Sequence, residues 1–150
     1  LLPLPEDLPD ALASMTEPLA CVMHGVARSN IKPGDKVVIL GDGAIGLMFA
    51  AVLAQQSVEV FLFGGHDERL QIGEKLGALK TFNYHQVEDI PALVRELTHS
   101  WGADAVIEAT GVPAVWETAI ASARPGATVN LFGGCPRDTT INVNTEQLHY

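Results

Sequence analysis

Basic side chains are scarce in this chain. Nine lysines and arginines stand against 18 aspartates and glutamates, giving a formal net charge of −9 over 150 residues. A general electrostatic hold on nucleic acid needs a basic face, so this balance argues against nucleic acid as a partner. An anionic ligand would have to be held by local backbone dipoles and a few basic side chains. Cysteine is nearly absent as well: Cys21 and Cys135 have no metal-ligand spacing and make no disulfide framework. Long apolar runs are missing too. The longest, Leu47 to Ala54, is far shorter than the roughly 18 residues a membrane span needs, and no basic segment followed by an apolar one opens the sequence. The reading is a cytoplasmic soluble protein with no membrane partner. What is present is 47% hydrophobic and 18% charged, a globular composition long enough for one domain with a real core. There is no internal repeat and no low-complexity segment.

Leu1 to Asp10 holds three prolines among leucines and acids, so it is expected to be an irregular connector without secondary structure. From Thr16 to Ser29 the apolar residues Leu19, Val22, Met23 and Val26 recur at helical spacing, with Pro18 tolerated in the first turn. Ile31 to Asp35 makes a turn. Strands and helices then alternate. Strands are predicted at Lys36 to Leu40, Val58 to Phe63, Leu79 to Phe82, Ala105 to Glu108 and Ala127 to Phe132. Helices are predicted at Ala44 to Gln55, Glu68 to Leu76, Asp89 to His99 and Val112 to Ala123. Continuous apolar strands separated by helices argue a parallel sheet covered on both faces. Right-handed crossovers then give an α/β Rossmann fold, a doubly wound sheet in the order 3-2-1-4-5. Such a sheet normally carries a sixth strand, and the polar segment Thr139 to Tyr150 offers none. The division expected is a connector and helix over residues 1–30, a dinucleotide-binding domain over 31–135 and a tail over 136–150.

One motif lies inside this pattern. The apolar strand ending at Leu40 flows into Gly41-Asp42-Gly43-Ala44-Ile45-Gly46 and then into a helix. In that strand-turn-helix context the first glycine permits the tight turn, the second lets a pyrophosphate reach the backbone, and the third lets helix and strand pack closely. The helix N–H groups around Ala44 and Ile45, with the helix dipole, would hold the phosphates. The plainer alternative is a turn whose glycines serve backbone conformation alone.

Several segments stand in a telling order: Glu17-Pro18-Leu19-Ala20-Cys21, the glycine motif, Arg69-Leu70 before Lys75-Leu76-Gly77-Ala78, Gly102 to Gly111 ending Glu108-Ala109-Thr110-Gly111, and Arg124-Pro125-Gly126-Ala127. Together they resemble the cofactor-binding half of the medium-chain, zinc-dependent alcohol and polyol dehydrogenases, most closely the sorbitol and threonine dehydrogenase branch. The resemblance runs from about Thr16 to Gly134. It implies a separate catalytic domain carrying most zinc ligands, an alcohol or polyol substrate, and a homo-oligomer. It also implies a reaction in which zinc polarises the alcohol oxygen while hydride passes between the carbinol carbon and the nicotinamide. On that reading this chain is a fragment, inactive alone, and contains no catalytic residue. The resemblance turns Glu17 toward the zinc of the full-length enzyme. A lone carboxylate cannot hold zinc, so no metal is expected here, and a first-turn glutamate is also accounted for by the helix dipole. The resemblance assigns Ala109, Thr110 and Gly111, with Leu131, Phe132 and Gly133, to the nicotinamide. Independent physics agrees, since ligands of open α/β sheets sit outside the carboxyl ends of the strands at the switch point.

The cofactor is NAD or NADP. A fold preferring NAD places an acid at the end of the second strand, on the ribose hydroxyls. That place is Gly64, and the acid is absent. Gly64 and Gly65 are expected to leave room and free N–H groups for a 2′-phosphate, with His66 and Arg69 close enough to donate, so the balance favours NADP. Asp67 or Glu68 could instead swing back to the ribose. Two other functions share these features: a non-catalytic dinucleotide sensor, which has no evident use for the Glu17 helix, and a zinc-free quinone reductase of the same superfamily, which would lack Glu-Pro-Leu. A methyltransferase, whose glycine loop also follows a first strand, would want the same missing acid.

Overall fold

The computed structural model describes residues 3–149; Leu1 and Leu2 of the connector, and Tyr150, lie outside the described residues. From Pro3 the chain turns, with the Leu8 N–H on the Pro5 carbonyl at 3.1 Å, into a short helix α1 (Asp10–Ala13). The described connector up to Pro9 forms no helix or strand, as expected, and only its last residue, Asp10, belongs to α1. Pro9 fixes the helical entry angle at φ −59°, and its carbonyl accepts the Leu12 and Ala13 N–H groups at 2.9 Å each.

Helix α2 (Thr16–Arg28) buries Val22, Gly25 and Val26, whereas Leu19 and Met23 remain exposed at 37% and 57%. Gly25 explains the rotation: a Cβ there would come within 2.9 Å of the Phe49 ring. Its bare backbone lets α2 settle directly on the next helix.

The sheet follows as β1 (Lys36–Leu40), β2 (Glu59–Gly64), β3 (Lys80–Asn83), β4 (Ala103–Glu108) and β5 (Ala123–Leu131). The intervening helices are α3 (Ala44–Leu53), α4 (Asp67–Lys75), α5 (Ile90–Leu97) and α6 (Pro113–Ser122), with a terminal α7 (Thr145–His149). All neighbouring strands are parallel, in the order β3-β2-β1-β4-β5. This is the predicted order, with five strands among the described residues. The largest boundary difference is at β5, which begins at Ala123 and passes through Pro125 and Gly126 with an irregular register opposite Ala103 and Ala105. Proline is tolerated there because β5 is an edge strand.

Alternate residues feed two cores. Val37 and Ile39 join Val60, Leu62, Ala105 and Ile107 beneath α2, α3 and α4, around Phe49 and Leu53. Val38 and Leu40 join Phe61, Phe63 and Val106 against Val94 of α5 and Ala119 of α6. Each fully buried side chain of this size contributes roughly 1.5–3 kcal/mol. The tail returns to α6, where the Asn142 N–H donates to Glu117 at 2.7 Å and the Gln147 amide to the Ile120 carbonyl at 3.2 Å. No helix among the described residues is long and apolar enough to cross a membrane.

Candidate functional site

The carboxyl ends of β1, β4 and β5 meet at one edge of the sheet. Gly41 leaves β1 at φ +123°, a conformation that favours glycine, and its N–H continues the ladder to the Phe63 carbonyl at 2.8 Å. A Cβ on Gly46 would lie 1.8 Å from the Gly41 carbonyl oxygen, so α3 can start this close to β1 only with glycine there. Gly43 differs from both. It has an ordinary φ of −71° as the N-cap of α3, and a Cβ on it would meet nothing within 4 Å. No side chain caps α3, and its first turn carries no acid. The N–H groups at Ala44 and Ile45 therefore face a space that a ligand's phosphates could enter.

Glu108 organises the neighbouring loops. Its side chain is fully buried at the end of β4 and accepts the Thr110 and Gly111 N–H groups at 2.6 and 3.0 Å, and the Thr110 hydroxyl. Its carbonyl accepts the Phe132 and Gly133 N–H groups at 3.0 and 2.9 Å. Trp116 of α6 donates its indole N–H to the Gly133 carbonyl at 3.0 Å. One glutamate thus brings together Ala109 to Gly111 and Leu131 to Gly133, the two segments expected beside a nicotinamide. The sequence marked both segments and held Glu108 within a motif, but gave it no role in joining them. The available signal was a charged residue closing an otherwise apolar strand.

At the end of β2 the expectation of open space needs correction. Asp42, the second residue of the glycine motif, is 6% exposed. Its Oδ2 accepts the Gly65 N–H at 3.1 Å, the His66 N–H at 2.8 Å and a contact from His66 Nδ1 at 3.1 Å. A Cβ on Gly64 would sit 2.3 Å from the Asp42 Cβ. The room beside Gly64 is already filled by Asp42, and the two N–H groups are engaged. Asp67 is also committed, accepting the Asn83 amide at 2.6 Å. Arg69 remains exposed on α4.

Asp42 borders a cavity of about 440 Å³ at the carboxyl ends of β1, β2 and β4, walled by Leu40, Phe63, Ile90 and Val115 and edged by Thr110. Apolar walls with a few convergent polar groups suit a flat organic ligand. Its acidic rim includes Glu88 and Asp89, the latter capping α5 through the Ala92 N–H at 2.8 Å.

A family model described as zinc-binding dehydrogenase matches residues 44–150. The chain belongs to this family. It is 42% identical over 114 residues to a sorbitol dehydrogenase of Halalkalibacterium halodurans, a match covering 74% of this chain and 33% of that protein. It is 32% identical over 143 residues to an L-threonine 3-dehydrogenase of Chromobacterium violaceum, covering 95% and 41%. Among solved structures, a Sinorhizobium meliloti protein, nominally a zinc-binding dehydrogenase and bound to NADP, superposes with a TM-score of 0.89 at 29% identity, covering 96% of this chain and 43% of its own. The chain thus spans well under half the length of these relatives.

Zinc, which the family name implies, finds little here. Glu17 stands exposed in the first turn of α2 and accepts the Cys21 thiol at 3.3 Å. That bond to the carboxylate, with some desolvation and the glutamate charge, pushes the Cys21 thiol pKa up. Among the described residues no three His, Cys, Asp or Glu side chains gather to hold a metal ion. Zinc takes four ligands, so these residues alone do not fit it.

Proposed function

We propose that this chain is the nicotinamide-dinucleotide-binding part of an alcohol or polyol dehydrogenase. Residues 31–135 form the binding domain, residues 1–30 lead into it from the catalytic part, and residues 136–150 are a tail against α6. The observation that carries the reading is the contrast within the glycine motif. Gly41 and Gly46 are required by the fold itself, whereas Gly43 borders open space at an uncapped helix start. Backbone N–H groups at Gly43, Ala44 and Ile45 hold the pyrophosphate, and the apolar cavity takes the adenine. Ala109 to Gly111 and Leu131 to Gly133, fixed by Glu108, flank the nicotinamide. When bound, the cofactor would supply hydride exchange with the alcohol carbon, and the chain's own residues would bind and orient it. The names of the sorbitol and threonine dehydrogenase relatives support the substrate class, and Glu17 faces the zinc of the full-length enzyme.

Calorimetric titration with NADH and NADPH tests this reading. Saturable binding of at least one, lost in a variant blocked at Gly43, is expected; binding of neither would overturn it. NADP as the cofactor is a second reading, supported by Arg69 standing exposed on α4 and by NADP in the S. meliloti relative. The parent enzyme forms a homo-oligomer through the β5 edge, which no strand covers among the described residues. Gel filtration at the monomer mass at high concentration would count against that assembly.

A further inference from the structure

The end of β2 lacks an acidic residue in the sequence, yet a carboxylate stands there in the fold. Asp42 comes from the other side of the β1–β2 pair, and its Cβ fills the volume a side chain at Gly64 would need. An acid at position 64 and the acid at position 42 are therefore mutually exclusive solutions for one place. We propose that Asp42 determines cofactor choice, accepting the adenosine ribose hydroxyls of NAD and disfavouring the 2′-phosphate of NADP. The inference rests on the dinucleotide-binding reading above.

Three observations support it. The first is hydrogen-bonding capacity: Oδ2 carries the Gly65 and His66 N–H groups, while the nearest partner of Oδ1 is the His66 ring nitrogen at 3.4 Å, which leaves Oδ1 able to accept a hydroxyl. A phosphate dianion offers no hydroxyl at that point. The second is charge. A 2′-phosphate, carrying about −1.5 to −2, would meet Asp42 in a cavity also edged by Glu88 and Asp89. Repulsion there is weakly screened because Asp42 has a side-chain exposure of only 9%. The third concerns the donors. His66 already contacts Asp42 through Nδ1 at 3.1 Å, and the two backbone N–H groups are engaged by the same oxygen. To use them, a phosphate would have to displace the carboxylate and leave it buried without its partners, which is costly. Of the groups that favoured NADP, Arg69 alone has no such commitment to Asp42.

The test compares NADH and NADPH affinities in the full chain and in Asp42→Asn, which keeps the shape and removes the charge. The wild-type chain is expected to bind NADH at least tenfold more tightly. Asp42→Asn is expected to reduce that ratio at least tenfold, chiefly by tightening NADPH. Should the substitution disturb the loop, competition by 5′-AMP and 2′,5′-ADP against bound NADH in the unsubstituted chain asks the same question without a variant, and 5′-AMP is expected to compete better. Equal or tighter binding of the phosphorylated form, or a ratio unchanged in Asp42→Asn, overturns the role of Asp42 while leaving the dinucleotide site standing. Binding of neither nucleotide removes both.

Discussion

Gly46 turns its bare Cα onto the carbonyl oxygen of Gly41, where a methyl group would lie 1.8 Å away. The contact joins the start of α3 to the end of β1, and neither side is a flexible side chain that could move aside. Gly46→Ala is therefore expected to cost about 3 kcal/mol, lowering Tm by about 6–12 °C for a chain of this size. Gly43→Ala should leave Tm within a degree or so, because its backbone suits any residue and its Cβ meets open space. It should nevertheless weaken dinucleotide binding about tenfold or more. Thermal melts beside calorimetry separate the two glycines, and a large loss of Tm in Gly43→Ala would contradict the assignment.

Glu108 is expected to behave as a structural anchor for the nicotinamide-side loops. Hydrogen bonds to a charged group contribute about 1.5–3 kcal/mol each, and Glu108→Ala removes the oxygen that accepts the Thr110 and Gly111 N–H groups. A loss of about 2–4 kcal/mol is expected from urea denaturation. Faster hydrogen exchange at Thr110, Gly111 and Gly133 should accompany it. Unchanged exchange at those amides would show that the loops hold without the carboxylate.

Asp104 gives the fold an acid-sensitive joint. Partial burial raises its pKa, but donation from the Lys36 N–H, the Arg124 guanidinium bond and the charges of Arg124 and Lys36 outweigh this and hold it below the ordinary carboxylate value. The bonds are 2.8 and 2.6 Å long. A lowered folded-state pKa contributes stability that is complete well above the unfolded value of about 3.9 and is lost as pH falls through the folded value. Asp104→Asn should cost about 1 kcal/mol at neutral pH, given the partial exposure of the pair. The difference from wild type should shrink as pH falls below about 4. A difference constant between pH 7 and pH 3 would refute the linkage.

Cys21 reports on Glu17. Because the glutamate carboxylate raises the thiol pKa, Glu17→Ala should increase alkylation of Cys21 by iodoacetamide at mildly alkaline pH, in a background where Cys135 is replaced by serine. The pH-rate profile should move to lower pH by the same change. Identical profiles would mean that the thiol does not sense Glu17 in solution.

Much of this architecture was legible in the sequence because parallel strands covered on both sides must be written as unbroken apolar runs, as Val37 to Leu40 and Val60 to Phe63 are. The glycine motif was legible for a related reason: its context of strand and helix restricts what three glycines can mean. Asp42 was not. An acid inside a glycine turn reads as a solvated loop residue, and only its approach to Gly64, from a strand remote in sequence, reveals the buried carboxylate. Apolar periodicity found α2, whose Val22 and Val26 are buried, but Leu19 and Met23 of the same pattern stay exposed, and Gly25, which carries no hydrophobic signal, decides the packing. At β5, Pro125 and Gly126 imitate a turn. The strand nevertheless continues through them, with Arg124 tied back to Asp104.

The two-faced core has a further consequence for accuracy of assembly. Val37, Val38, Ile39 and Leu40 are all buried whichever way they point, so hydrophobic burial alone would tolerate a one-residue slip of β1 better than in a sheet with one wet face. What discriminates between registers is polar and lies at the strand's ends. The Lys36 N–H must find Asp104 at one end, and Asp42 must arrive opposite Gly65 and His66 at the other. A slipped strand would stay oily throughout yet leave these groups unmatched, so Asp42, which shapes the ligand edge, and Asp104 at the opposite end also serve as alignment marks.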